Sequence, residues 1–159
     1  MGSIYDTDLD RNAANHVPLS PISFLTRTAR AYPEKLAVIH GSLRRSWGEV
    51  YERSVRLASA LSKRGVGKGD TVAVMAPNIP AFVEAHFGVP MSGAVLNALN
   101  IRLDAEAIAF ILKHGEAKVI LVDREFSEVI ACAVETLETK PLIIDIDDPL
   151  AEHGDLIGE

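Results

Sequence analysis

Cysteine is nearly absent: with Cys132 alone, no internal disulfide forms and neither common zinc-binding spacing can be assembled. Nothing therefore calls for an oxidising compartment, and a cytoplasmic location is expected. Positive charge is also scarce. Sixteen Lys and Arg stand against 22 Asp and Glu, a formal net charge of -6, and no long basic run supplies the footprint of a nucleic-acid binder. No apolar run approaches the roughly 20 residues needed to span a bilayer, because Asp104, Glu106 and Lys113 interrupt the most hydrophobic stretch. The first 20 residues lack the charged start and apolar centre of a secretory signal. Met1-Gly2-Ser3 is not continued as a myristoylation pattern, since position 6 is Asp6 rather than Ser or Thr. Any membrane contact is expected to be peripheral.

What is present suits one folded unit. The 159 residues are 48% hydrophobic and 24% charged, enough apolar material for an ordinary core. Ser20-Pro21 opens a helix that Pro33 stops after Tyr32. Leu36 to His40, the turn Gly41-Ser42 and Leu43 to Ser46 read as a hairpin. Ser46-Trp47-Gly48-Glu49 has capping-box spacing, and Trp47, Val50, Tyr51, Leu57, Ala58 and Leu61 recur at helical intervals, with Arg53, Arg56 and Lys63 opposite.

From residue 70, short β-rich runs at 71–75, 94–96, 118–122 and 142–146 alternate with helical stretches at 79–90, 104–114 and 126–137. Strands alternating with helices pair in parallel through crossovers. The expected fold class is α/β, a doubly wound, mostly parallel sheet flanked by helices, with an antiparallel hairpin near the N-terminus. The expected organisation is an arm at 1–16, an α/β subdomain at 17–148 and an acidic tail at 149–159. The stretch Asp145 to Glu159 is expected to close no element and to be cut from a longer polypeptide.

Each local motif has a structural reading beside a chemical one. Gly65-Val66-Gly67-Lys68-Gly69-Asp70 resembles a phosphate-cradling loop, but it follows a helix and leads into a strand, the reverse of the order phosphate loops need. Gly65 is better read as a left-handed helix terminator. His86, near Glu84 and Phe87, has no companion that completes an acid–base or nucleophilic site. Asp145, Asp147 and Asp148 lack the calcium-loop pattern and read as a solvated loop. Asn97 and Asn100 flank the end of a strand, where open sheets place ligands, yet Asn there also serves turn geometry. No catalytic, metal-ligating or cofactor-binding residue is assigned on this basis.

The combined string from Gly65-Val66-Gly67-Lys68-Gly69-Asp70 through Thr71-Val72-Ala73-Val74-Met75-Ala76-Pro77-Asn78 resembles a block of the adenylate-forming superfamily, which includes acyl-CoA synthetases. The resemblance extends back to Trp47-Gly48-Glu49-Val50-Tyr51, and forward through Glu84 to Asn97 and Asn100 to Asp104 as far as Asp123, covering about residues 17 to 148. Pro77-Asn78-Ile79-Pro80 and His86-Phe87-Gly88-Val89-Pro90 are most similar to medium-chain and methylmercaptopropionate-type acyl-CoA ligases. The resemblance implies a two-step reaction. A carboxylic acid attacks ATP to give an acyl-adenylate and pyrophosphate, then the thiol of coenzyme A displaces AMP, with Mg as the metal.

The family's Ser/Thr/Gly-rich loop ending in Pro-Lys-Gly and its Tyr-Gly-x-Thr-Glu segment do not occur in these residues. The chain is therefore expected to be an N-terminal, catalytically inactive portion that binds no cofactor tightly and packs against the remainder of the ligase; a homo-oligomer is compatible with the sequence. Two other readings are a short noncatalytic α/β binding or regulatory module derived from such a ligase, and an unrelated Rossmann-type domain. The second is disfavoured because Ala76-Pro77-Asn78-Ile79-Pro80 has no glycine for close phosphate approach.

Overall fold

The computed structural model describes residues 10–14, 16–17 and 20–159. The start at Met1-Gly2-Ser3 and most of the expected 1–16 arm lie outside the described residues. Helix α1 (Pro21–Ala31) begins where Ser20 Oγ accepts from Ile22 N–H at 3.3 Å, with Pro21 in the first turn. Strands β1 (Leu36–His40) and β2 (Leu43–Ser46) pair antiparallel about Gly41, whose φ of 54° suits a residue without Cβ.

Helix α2 (Trp47–Lys63) is fixed at both ends by its sequence. The capping box is complete: Ser46 Oγ accepts from Glu49 N–H, and the Glu49 carboxylate accepts from Ser46 N–H at 2.7 Å. At the other end Val66 N–H donates to Leu61 O and Gly65 N–H to Ser62 O, with Gly65 at φ 76°. That pair of bonds is the Schellman arrangement, so Gly65 is a helix terminator.

The remaining elements alternate as β3 (Thr71–Met75), α3 (Pro80–Met91), β4 (Val95–Ala98), α4 (Ala105–His114), β5 (Ala117–Asp123), α5 (Ser127–Glu135) and β6 (Leu142–Ile146). The four strands form one parallel sheet in the order β4-β3-β5-β6, the doubly wound α/β arrangement that the alternation predicts. Several boundaries move by a residue or two, and two of the shifts have a local cause. The strand expected at 94–96 runs to Ala98, because Asn97 pairs with Ala73. The helix expected from Phe126 is preceded by a 3-10 turn at Arg124–Phe126, because the Asp123 carboxylate accepts from Glu125 N–H and tightens the entry.

Alternate side chains of each strand feed two cores. On one face Val72, Val74, Val119 and Leu121 meet Leu61 of α2 and Ala85 and Val89 of α3. On the other, Ala73, Met75, Ile120 and Val122 meet Ile108 and Leu112 of α4 and Ile130 and Val134 of α5. Helices α2 and α3 cross closely at Gly88, where an added Cβ would stand 2.9 Å from Ser54 O and 2.8 Å from Leu57.

The tail closes no element after β6, as expected, but it is fastened to the body of the fold. Glu159 N–H donates to Ile143 O and Glu159 O accepts from Asp145 N–H, the pattern of a parallel neighbour beside β6. Arg64 bonds the Glu159 carboxylate through Nε and Nη2, and Arg124 bonds Gly154 O. Glu159 therefore pairs at the sheet edge, where the outward-facing groups of an edge strand need partners.

Candidate functional site

The two ends of the parallel sheet differ in what they can receive. At the amino end lies Gly65 to Asp70, where the Gly67 amide and the Asp70 carboxylate are already engaged. The Asp70 carboxylate accepts from Gly67 N–H at 2.8 Å and from Lys118 Nζ at 3.1 Å, while Lys118 also donates to Gly65 O at 2.6 Å. The Gly67 bond, then Lys118, holds the Asp70 carboxyl below its ordinary pKa. A loop that presents a carboxylate and has used its central amide is a poor cradle for phosphate.

At the carboxyl end a cleft of about 600 Å³ opens between α2, the hairpin, and the loop after β6. In open α/β sheets this is the end that receives ligands. Its apolar floor includes Leu57, Ala60, Ala81, Leu121, Ile144 and Ile146. One rim is basic, with Arg53 and Arg56 of α2, and the facing rim carries Asp147 and Asp148. The floor is open because α2 and α3 cover β3, β4 and β5, leaving the Ile144 and Ile146 face of β6 half-buried.

Charge at the cleft wall is organised around Glu84, 7% exposed at its side chain. Its Oε1 accepts from Arg45 Nη1 and, at 2.7 Å, from Arg53 Nε. Two guanidiniums on one carboxylate leave a local excess of one positive charge, tying hairpin, α2 and α3 together. Sequence reasoning placed Arg53 on a solvated face and missed the cluster. The available signal was Glu84 itself, the lone carboxylate in an otherwise apolar helix Pro80–Met91.

His40 Nε2 lies 3.3 Å from Asp148 Oδ2 and joins the hairpin to the loop after β6. Asp148 Oδ1 accepts from Leu150 N–H, Asp147 pairs with Arg124, and Asp145 Oδ2 accepts from Gly158 N–H. Those three carboxylates, expected to be a solvated loop, instead fasten the tail. Among the described residues no group of three or more His, Cys, Asp or Glu could hold a metal ion.

Asp123 at the end of β5 is 1% exposed, and its Oδ2 has no hydrogen-bond partner. Burial raises its pKa, and the nearby negative charge of Asp148 adds to that. The other sequence candidates do not converge on the cleft. His86 is exposed, its Nδ1 2.8 Å from Phe82 O. Asn100 Oδ1 accepts from Arg102 N–H in a turn, and Asn97 lies within β4.

The family model described as AMP-binding enzyme matches residues 25–157. Over 148 residues the chain is 49% identical to the acetate/butyrate–CoA ligase, peroxisomal, of Arabidopsis thaliana, covering 89% of this chain and 26% of that protein. It is 47% identical over 148 residues to an acetate–CoA ligase of Humulus lupulus, again covering 89% and 26%. A solved anthranilate CoA ligase in complex with anthranoyl-AMP superposes with a TM-score of 0.78 at 22% identity, over 86% of this chain and 27% of that one. The chain thus spans about a quarter of the length of the curated relatives it matches.

Proposed function

The chain belongs to the AMP-binding enzyme family, and from that membership we propose that it is the N-terminal part of an acyl-CoA ligase. That ligase would activate a carboxylic acid with ATP through an acyl-adenylate and pass the acyl group to coenzyme A. The observation that carries this reading is the 49% identity to a CoA ligase over 148 residues. In this reading residues 1–16 are an arm, 17–148 the α/β subdomain and 149–159 an acidic tail.

ATP, Mg and coenzyme A belong to the whole ligase. The residues present do not fit the triphosphate: Gly67 N–H is taken by Asp70, Arg45 and Arg53 by Glu84, and Asp147 and Asp148 face into the cleft. Phosphate charge needs free backbone donors and cations, so no reaction step falls to this chain. Its part is scaffold, with the remainder of the ligase as packing partner.

The test is a chimera in which this chain replaces the matching quarter of the Arabidopsis acetate/butyrate–CoA ligase. Acyl-CoA formation from acetate or butyrate by the chimera, and none by the chain alone, is the expected pair of results. A soluble, monodisperse chimera without activity would favour the reading as a noncatalytic module. Among the described residues no helix is long and apolar enough to cross a membrane. We propose the cytoplasm as the compartment because the lone cysteine asks for no oxidising environment. The Arabidopsis relative is named as peroxisomal, and imaging a tagged chain separates the two.

A further inference from the structure

We infer that the outer surface of α1 and the hairpin is a docking face for an anionic membrane surface, the headgroup layer of a bilayer that holds acidic lipids. The inference stands on the surface of this chain and not on the ligase reading. Three exposed apolar side chains there each stand beside an exposed cation. The Arg27 guanidinium lies 5.3 Å from the centre of the Phe24 ring, and Lys35 Nζ 5.4 Å from the centre of the Tyr32 ring. On the hairpin, Ile39 pairs across the strands with Arg44. Phe24, Tyr32 and Ile39 are 53%, 59% and 60% exposed. An apolar side chain held beside a long basic one offers an apolar body and a charged tip, the chemistry that sits where headgroups meet acyl chains.

Local structure turns these couples outward. Leu25 and Ala29 take the buried side of α1, where it meets α2 and α3, which leaves Ser23, Phe24, Arg27, Arg30 and Ala31 toward solvent. In the hairpin Arg45 turns inward to Glu84, and alternation sends Arg44 and its partner Ile39 to the opposite face. Tyr32 to Lys35 join the two elements and carry the middle couple. Val17, Ile22, Arg27 and Arg30 line one hollow on this side of α1, which adds apolar surface to the face.

Charge identifies the occupant. Residues 20–46 hold five Lys and Arg against the single acid Glu34, while the rest of the chain holds eleven against 21 Asp and Glu. Among the described residues no carboxylate lies within ion-pair distance of Arg27, Arg30, Lys35 or Arg44, whereas Arg45, Arg53, Arg56, Arg64, Lys118 and Arg124 each have one. A cluster of cations without carboxylates, on a chain of net negative charge, is matched by a dense anionic layer. A second copy would bring the same positive face against itself, and a lone phosphate would leave Phe24, Tyr32 and Ile39 in water. Among the described residues no helix is able to span a bilayer, so the contact is peripheral.

The experiment is flotation of the 159-residue chain with vesicles of phosphatidylcholine alone, or of phosphatidylcholine with about one-third phosphatidylserine, at about 0.1 M salt. The expected result is binding to the acidic vesicles about tenfold or more above the neutral ones, and release at about 1 M salt, where screening is nearly complete. Each Lys or Arg near such a surface contributes about fivefold to partitioning, so Arg27→Gln with Arg30→Gln should weaken binding about 25-fold. Phe24→Ser should weaken it about threefold or more, by removing the apolar anchor. Phe110→Ser removes an equally exposed aromatic from α4, on the opposite side of the sheet, and should leave binding unchanged. All these side chains are exposed, so each variant should keep its circular-dichroism spectrum and melting temperature. Equal binding to both kinds of vesicle, or binding that ignores the Arg27 and Arg30 changes, overturns the inference. Release by soluble glycerophosphoserine would mark a site for an isolated headgroup and overturns it too. Self-association that needs Arg27 and Arg30, without vesicle binding, assigns the face to a second copy and likewise overturns it.

Discussion

The two faces of the parallel sheet are built from the same strands and end in different states. The α4/α5 face is closed across β3 and β5, with Ile120, Val122 and Ile130 each fully buried, while Ile143 of β6 is half-buried. The α2/α3 face is closed over β3, β4 and β5 and open over β6, where Leu142, Ile144 and Ile146 are half-buried and the cleft lies. The difference follows from connectivity. Crossovers β4-α4-β5 and β5-α5-β6 step in one direction and lay their helices on one face, whereas α3 steps back to β4, so no crossover of this chain covers the other face of β6. One face is finished over β3 and β5 by α4 and α5, and the other keeps a cleft over β6.

The sharpest way to break that comparison is to truncate one residue on each face. Ile120→Ala removes a buried side chain from the sealed core and should cost about 2–5 kcal/mol of unfolding free energy in urea. Ile144→Ala on the open face should cost about 1 kcal/mol, because its side chain is only partly buried. Equal costs would mean that the open face is covered in solution.

Glu84→Gln tests the cleft wall. Removing the carboxylate leaves Arg45 and Arg53 without their shared partner, and a cost of about 2–3 kcal/mol is expected, under the value for a fully buried pair because Arg53 is 45% exposed. Gly88→Ala pushes a methyl against Ser54 O and Leu57 where α2 meets α3, and should cost about 1–2 kcal/mol by the same urea measurement.

The smallest effects are opposite in sign at the two sheet ends. Asp123 has its pKa raised by burial, so its charged form weighs against the fold as pH rises above the ordinary value of 3.8. Asp123→Asn, which keeps an oxygen to accept from Glu125 N–H, should raise the melting temperature at pH 7 and lose that gain below about pH 4. Asp70 has its pKa lowered by Gly67 and Lys118, so its contribution is present above 3.8 and lost as pH falls through its folded value. Asp70→Asn should therefore lower the melting temperature at pH 7 and have no effect in strong acid.

Much of the fold was legible in local signals. The capping box at Ser46 and Glu49, the terminator Gly65, the hairpin at Gly41 and the strand runs all stand within a few residues of where they were read. What stayed hidden was long-range. Arg45 and Arg53 meet Glu84 across 39 and 31 residues, and no period in one helix announces a partner in another. The tail misled for a related reason: its acidic residues carry the marks of a solvated loop, and only the fold brings His40, Arg124 and Gly158 to them. Nor does alternation along a strand say which face has a helix above it, so the open floor of the cleft was invisible until the strand order was known.

The proposed function turns on these residues carrying scaffold and not chemistry. The direct measurement is ATP–pyrophosphate exchange by the purified 159-residue chain, with Mg and acetate or butyrate present and the chimera run alongside. Exchange by the chimera and none by the chain, at any concentration, is the predicted result; exchange that rises in proportion to the chain alone would contradict the account.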